Sequence, residues 1–182
     1  MNIPNILSII RILLTPLFVI CLLRGKFTAA LFVFTTAGIT DALDGLYARW
    51  FNQKTVLGAY LDPIADKLLL TSAFISLAIL KIIPPWLSVI VISRDIVIMM
   101  GYAVFEITDM RSKIEVKPSI VSKLTTFAQI LTVFFVLLDP DISKVIAIKT
   151  FLYGFTAMVT IISGLHYIYI GMNMFQNGGS GH

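Results

Sequence analysis

The sequence predicts an all-α integral membrane protein with six transmembrane helices, and its composition and length are the basis for this fold class. Of the 182 residues, 58% are apolar and 13% are charged, and the mean hydropathy is +0.92. A soluble domain carries about 25% charged residues to cover its surface. Because about 20 apolar residues cross a bilayer as a helix, six such stretches use nearly the whole length and leave no room for a separate soluble domain.

The first three predicted spans lie in the N-terminal half. Residues 5–23 are apolar except for three polar positions, and the Arg-Gly-Lys sequence that follows ends the helix. Residues 27–49 begin as an uncharged run and continue in helical register into a polar end, so the last turns of this helix cannot face lipid. A short polar connector, residues 50–57, leads to the third helix, residues 58–80, whose charges lie in its first turns.

The last three spans are equally well delimited. Residues 84–107 start with two prolines, which suit the first turn of a helix because proline lacks only an amide hydrogen that is unpaired there anyway. The most polar segment of the chain separates this helix from residues 121–138, and an Asp-Pro-Asp sequence precedes the last span, residues 145–170. The Gly-rich tail, residues 177–182, resembles a linker or tag remnant, which leaves residues 1–176 as a single membrane domain.

The distribution of basic residues predicts the orientation. Six spans place both termini on one side, together with the connectors after the second and fourth spans. The basic residues near that side are Arg49, Lys54, Arg111, Lys113, Lys117 and Lys123. The opposite connectors carry four or five, so the positive-inside rule places both termini on the cytoplasmic side. The net charge of +4 comes from scattered residues and indicates anionic lipid rather than nucleic acid as the partner.

Four of the ten acidic residues, Asp41, Asp44, Asp62 and Asp66, lie at the adjoining ends of the second and third helices. Spacings of three and four residues put each pair on one helical face, and the short connector brings the two faces together. Four carboxylates in one volume near hydrocarbon must be protonated or neutralised by cations. Hard oxygen ligands select Mg²⁺, Mn²⁺ or Ca²⁺, and the number of carboxylates allows two ions.

Small residues and an arginine accompany the aspartates. Gly45, Ala48 and Gly58 allow the backbones to approach each other or a ligand, and Arg49 adds a bidentate phosphate donor. Metal ions beside an arginine suit a pyrophosphate group. The alternative is that the aspartates form buried salt bridges with Arg49 and Lys67, which would leave two acids in excess.

The sequence pattern Asp-x2-Asp-Gly-x2-Ala-Arg-x8-Gly-x3-Asp-x3-Asp, from Asp41 to Asp66, resembles the complete signature of the CDP-alcohol phosphotransferases. The wider chain resembles the glycerophospholipid branch of that family over nearly its full length. This resemblance implies six transmembrane helices, a homodimer, and CDP-diacylglycerol as the phosphatidyl donor. With the orientation predicted above, we expect a protein of the bacterial inner membrane whose active site faces the cytoplasm. An acceptor hydroxyl then attacks the phosphorus that carries diacylglycerol, and CMP leaves.

The resemblance also implies roles for individual residues. Asp41, Asp44 and Asp62 would ligate Mg²⁺ or Mn²⁺, two ions in all, and Asp66 would be both a ligand and the general base. A role for Asp66 as ligand alone is the alternative. The residues that would contact CDP-diacylglycerol are Gly45, Ala48, Arg49 and Gly58.

The acceptor is less well defined by the sequence. Candidates for binding its phosphate are Arg94, Lys117 and Lys123, although Arg94 could instead pair structurally inside the fourth span. Arg11, a charge within the first span, either pairs structurally or contacts a headgroup. Arg94-Asp95 and the Ser-Lys-x-x-Thr sequence from Ser122 resemble the cardiolipin-forming members of the family, which favours phosphatidylglycerol as acceptor, with glycerol-3-phosphate as the alternative.

A function of a different class also fits intramembrane acids, since they mark ion pathways in transporters. A divalent-cation transporter would need acids along a route across the membrane. Here the four aspartates lie at one end of the spans, and the sequence has no internal repeat.

Overall fold

The protein folds into six α-helices in the part of the chain that the structure describes. The computed structural model describes the backbone of residues 3–51, 56–107, 120–138 and 146–178, and the side chains of residues 7–41, 64–101, 120–138, 148 and 150–173. The helices are α1 (Ile3–Leu23), α2 (Phe27–Phe51), α3 (Val56–Ile79), α4 (Pro85–Ile107), α5 (Ile120–Leu138) and α6 (Ile146–Gly178). The predicted all-helical class and the number of helices are confirmed within these residues.

Several helix boundaries differ from the sequence prediction. The connector between α2 and α3 was expected at residues 50–57, but α2 continues to Phe51 and α3 begins at Val56. The final helix was expected to end at Ile170 and instead ends at Gly178. Trp50 and Phe51 extend α2, and Val56 and Leu57 extend α3, so the connector is shorter than expected. Past Ile170 the helix continues through Asn173 and Gln176, because no proline interrupts it and polarity alone does not end a helix.

The turns after α1 and α3 are built in the same way. Past α1 the amide of Lys26 donates to the carbonyl of Cys21 and the amide of Gly25 donates to Leu22. This motif needs a left-handed residue, and Gly25, with a φ of 70°, adopts that conformation at little cost. Lys81 takes the equivalent position after α3 with a φ of 58°, which costs a residue with a side chain about 1 kcal/mol. Both turns reverse the chain sharply.

The helices pack as a closed circuit. α1 contacts α2 and α3, α3 contacts α4, α4 contacts α6, α6 contacts α5, and α5 returns to α2. Aromatic and aliphatic side chains fill the centre, among them Phe18 and Phe34, whose ring centroids are 5.8 Å apart. Phe74, Leu77 and Leu87 are fully buried beside them. The charged residues described below are therefore held within a packed apolar bundle.

The polarity of the bundle is the reverse of that in a soluble protein. Every helix exposes large apolar side chains, such as Phe32 and Phe151, each 74% exposed. The buried surface between α5 and α6 instead carries polar groups, namely Thr125, Gln129, Thr132, Thr156, Thr160 and Ser163. Small hydroxyl residues at helix contacts and apolar residues on the outside are typical of helices packed in a membrane.

Two helical segments of the described chain, Ile120–Leu138 and Thr150–Asn173, are long and apolar enough to cross a membrane. Two shorter segments, Leu7–Leu23 and Phe27–Asp41, are also apolar. The structure thus supports membrane insertion of α5 and α6 by length and composition.

A buried charged network joins four helices. Asp95 on α4 accepts through Oδ1 from Lys67 Nζ on α3, and from Nη1 of the neighbouring Arg94 at 2.8 Å. Nη2 of Arg94 donates to Ser122 on α5 at 2.7 Å and to Ser163 on α6 at 2.9 Å. Arg94 is 5% exposed and Asp95 4%, so the network compensates charges that would otherwise be costly in an apolar interior.

Removal of the shared carboxylate should destabilise the bundle more than removal of one cation. Asp95→Asn leaves two cations without a counter-charge, which we expect to cost about 3–5 kcal/mol. Lys67→Met should cost less, since Arg94 still compensates Asp95 and the Lys67 side chain is 27% exposed. Thermal unfolding in detergent measures both, with exposed Lys26→Met as the control. Equal melting temperatures for all three variants would contradict the network's role.

Candidate active site

Two signature aspartates from different helices meet at one buried guanidinium. Arg11 Nη1, on α1, lies 2.8 Å from Oδ1 of Asp41, on α2. The same Nη1 donates to Oδ1 of Asp66, on α3. The structure therefore brings Asp41 and Asp66 together, as the sequence predicted, and adds a cation between them that the predicted set of site residues did not include.

Exposure differs sharply between the two sides of this cluster. The Arg11 side chain is 1% exposed, whereas the side chains of Asp41 and Asp66 are 44% and 42% exposed. The guanidinium thus forms the floor of the site, and the carboxylates keep an open face. That open face is where a further ligand of the carboxylates would bind.

The hairpin of α1 and α2 sets the depth of this cluster. The turn after α1 reverses the chain at Gly25, and Lys26 is midway in sequence between Arg11 and Asp41. The two side chains therefore lie at the same level of the antiparallel pair. α3 packs against α1 along the other side and supplies Asp66 at that level.

A cavity of about 100 Å³ adjoins the cluster. Arg11, Asp41 and Asp66 line it together with the hydroxyl-bearing Thr126 of α5. The other lining residues are apolar or small, namely Phe34, Ala37, Gly38, Leu69, Leu70 and Ile130. The cavity therefore combines a charged floor with walls that suit the apolar part of a lipid.

Several predicted site residues fall outside what the structure describes. The side chains of Asp44, Gly45, Ala48, Arg49, Gly58 and Asp62, and the whole of Lys117, lie outside the described residues. The backbone of α2 and α3 is helical through the first six positions. Asp44 therefore follows Asp41 by about one turn, and Asp62 precedes Asp66 by about one turn.

The two described acceptor candidates occupy different environments. Lys123 is exposed near the start of α5. Arg94 is buried and bonded to Asp95, Ser122 and Ser163, which is the structural pairing that the sequence left as an alternative.

The predicted alternative in which Lys67 pairs with the signature aspartates is replaced by a different pairing. Lys67 Nζ binds Asp95, on the α4 side of α3, and Arg11 takes Asp41 and Asp66. Asp66 and Lys67 are adjacent on a helix and therefore project in different directions, so they serve different neighbours.

The carboxylate pair is suited to a divalent cation. No group of three or more His, Cys, Asp or Glu side chains comes together among the described residues. However, the carboxylates of Asp41 and Asp66 come from separate helices, both contact Nη1 of Arg11, and both remain partly exposed. This donor chemistry is that of Mg²⁺ and Mn²⁺ sites, and Asp44 and Asp62 are the residues that would complete it.

Three relatives illustrate what the chain is similar to. It is 35% identical to human cardiolipin synthase (CMP-forming) over 96% of its own length. It is 33% identical to a probable phosphatidylglycerophosphate synthase of Mycobacterium tuberculosis over 92% of its length and 80% of that protein. It is also 33% identical to the CDP-diacylglycerol–glycerol-3-phosphate 3-phosphatidyltransferase of Bacillus subtilis, over 75% of its length and 77% of that protein.

Coverage of these relatives is uneven. The chain spans 63% of the length of the human protein. Residues 1–165 match the sequence profile of the CDP-alcohol phosphatidyltransferases, a stretch that contains the signature aspartates and α1 to α5 entire. The chain therefore belongs to the CDP-alcohol phosphatidyltransferase family.

Proposed function

We propose that the protein transfers the phosphatidyl group of CDP-diacylglycerol to a glycerol-type hydroxyl and releases CMP. The observation that carries this proposal is the convergence of Asp41 and Asp66, two signature residues of the family, on the open side of a buried cation. The apolar walls of the adjoining cavity suit the part of a lipid substrate nearest its phosphate. Membership of this family also makes the transporter hypothesis unnecessary.

Asp41, Asp44, Asp62 and Asp66 would hold the metal, which we propose to be two Mg²⁺ or Mn²⁺ ions. Members of the family generally depend on a divalent metal. When bound, such ions supply positive charge that orients the diphosphate and stabilises the leaving CMP. Gly45, Ala48, Arg49 and Gly58 would contact the CDP portion.

Asp66 is the proposed general base for the acceptor hydroxyl. It lines the cavity in which a lipid substrate would sit, and its side chain keeps an open face. A role as metal ligand alone is the alternative. Substitution of a general base would slow the attack of the acceptor hydroxyl, whereas substitution of a ligand would weaken metal binding.

Phosphatidylglycerol is the acceptor we propose, which makes cardiolipin the product. The cardiolipin synthase relative and the Arg94-Asp95 pair support this choice. Glycerol-3-phosphate is the second candidate, because two of the relatives are named for that reaction or its product. Lys117, Lys123 and Arg94 are the proposed acceptor contacts, although Arg94 would have to exchange one of its present partners.

The proposed setting is a membrane crossed by all six helices, with residues 1–176 as one domain. Outward-facing apolar side chains on every helix support six spans. We propose that both termini and the active site face the cytoplasm in a bacterial inner membrane, and that the chain acts as a homodimer.

One assay tests the reaction and its acceptor together. Purified protein is incubated with CDP-diacylglycerol and Mg²⁺ or Mn²⁺, with either phosphatidylglycerol or glycerol-3-phosphate, and the lipids are identified by mass. We expect CMP and cardiolipin from phosphatidylglycerol. If phosphatidylglycerophosphate is the only lipid product, glycerol-3-phosphate is the acceptor instead. An absence of metal-dependent CMP release would overturn the proposed function.

Substitutions of the two described aspartates should have different effects. Asp66→Asn keeps the size of the side chain and an oxygen for Arg11, so we expect a folded protein whose CMP release falls roughly 10²- to 10⁴-fold. Asp41→Asn should instead raise the metal concentration needed for half-maximal rate about tenfold or more. Asp141→Asn, outside the signature, is the control. If Asp66→Asn retains turnover, Asp66 is not the general base.

A further inference from the structure

Arg11 has more hydrogen-bonding capacity than its two aspartates use. Nη1 binds both Asp41 and Asp66, and no hydrogen-bond partner for Nε or Nη2 is found in the structure as described. Both nitrogens are buried, within a side chain that is 1% exposed. Burial of charged donors without an acceptor is costly, so this group requires a partner.

The geometry of the unpaired nitrogens specifies the kind of partner. Nε and Nη2 present parallel N–H groups on one edge of the planar guanidinium, and that edge binds two oxygens of a phosphate or carboxylate. Among the described side chains the other acid is Asp95, which already binds Lys67 and Arg94. A ligand from outside the described chain is therefore the suitable acceptor.

Arg11 lies beside a cavity that could hold a ligand. Its side chain lines the cavity of about 100 Å³ that also contains Asp41, Asp66 and Thr126. The walls of that cavity include Leu69, Leu70 and Ile130. A phosphate bound there would have a charged floor beneath it and apolar surface for the attached lipid.

We propose that Arg11 is a substrate-binding residue with two functions: Nη1 holds Asp41 and Asp66 together, and the Nε–Nη2 edge binds a phosphate oxygen of a lipid substrate. This inference rests on the proposed function, since it assigns a subsite of the same reaction. The phosphate belongs either to the diphosphate of the donor or to the phosphodiester of the acceptor, which share this chemistry.

Lysine and methionine at position 11 separate the two functions. Arg11→Lys keeps a positive charge for the aspartates but lacks the bidentate edge, and Arg11→Met lacks both. Arg24→Met removes an exposed arginine just past the C-terminal end of α1 and is the matched control. Binding of CDP-diacylglycerol and of phosphatidylglycerol is measured separately in detergent with Mn²⁺, and phosphate-free diacylglycerol is the reference probe.

We expect the melting temperature of Arg11→Lys to lie within a few degrees of the wild-type value. Its affinity for one phospholipid should fall roughly 10- to 100-fold. The affected lipid identifies the source of the phosphate, and the KM for that substrate should rise much more than kcat falls. Arg11→Met should also lower the melting temperature, because it leaves the carboxylates uncompensated. Arg24→Met and the diacylglycerol probe should show no change.

Wild-type affinity of Arg11→Lys for both phospholipids would overturn the proposal and leave Arg11 as a counter-ion. If Arg11→Lys does not fold, the Nε–H resonance of Arg11 in the ¹⁵N spectrum of the wild type decides the question. A shift with one phospholipid and not with diacylglycerol supports the proposal, and no shift with either overturns it. Neither measurement needs turnover, so a wild type that binds phospholipid without releasing CMP would refute the proposed function alone.

Discussion

Charge compensation on both sides of α3 is the constraint on which the bundle depends. Asp66 and Lys67 are neighbours in sequence, yet Asp66 binds Arg11 on α1 and Lys67 binds Asp95 on α4. Arg11 and Asp95 are the buried members of these two pairs, and each would be costly in an apolar interior without its partner. Rotation of α3 about its axis would break both pairs together, so these contacts fix which face of α3 meets each neighbour and thereby hold Asp66 at the site.

The site consequently has a permanent cation on its inner side and carboxylates with open faces on its outer side. Arg11 offsets the repulsion between Asp41 and Asp66 within the protein itself. The carboxylates are therefore brought together by the fold, and the proposed metal would bind to a pair that is already assembled. This preorganisation is what positioning of a diphosphate against an acceptor requires.

The sequence predicted the six helices and the meeting of Asp41 and Asp66, because apolar runs and short spacings are local signals. It did not predict the partners of the charges, which depend on depth in the bundle. A signal was nevertheless present: Lys26 is midway between Arg11 and Asp41, and Lys81 is midway between Lys67 and Asp95, each in a turn between antiparallel helices. Residues equidistant from such a turn lie at one level, whereas Arg94's bond to Ser163 joins α4 to α6, which are not consecutive, and leaves no such local trace.

The hydroxyl groups between α5 and α6 have a mechanical consequence. Thr125, Thr132 and Thr160 each donate to a carbonyl four residues earlier in their own helix. The contact between Thr132 and Thr156 is one of the few hydrogen bonds that cross this surface. Most of these hydroxyls therefore keep their acceptors if the two helices slide or separate slightly, so small movements between α5 and α6 leave few donors unpaired.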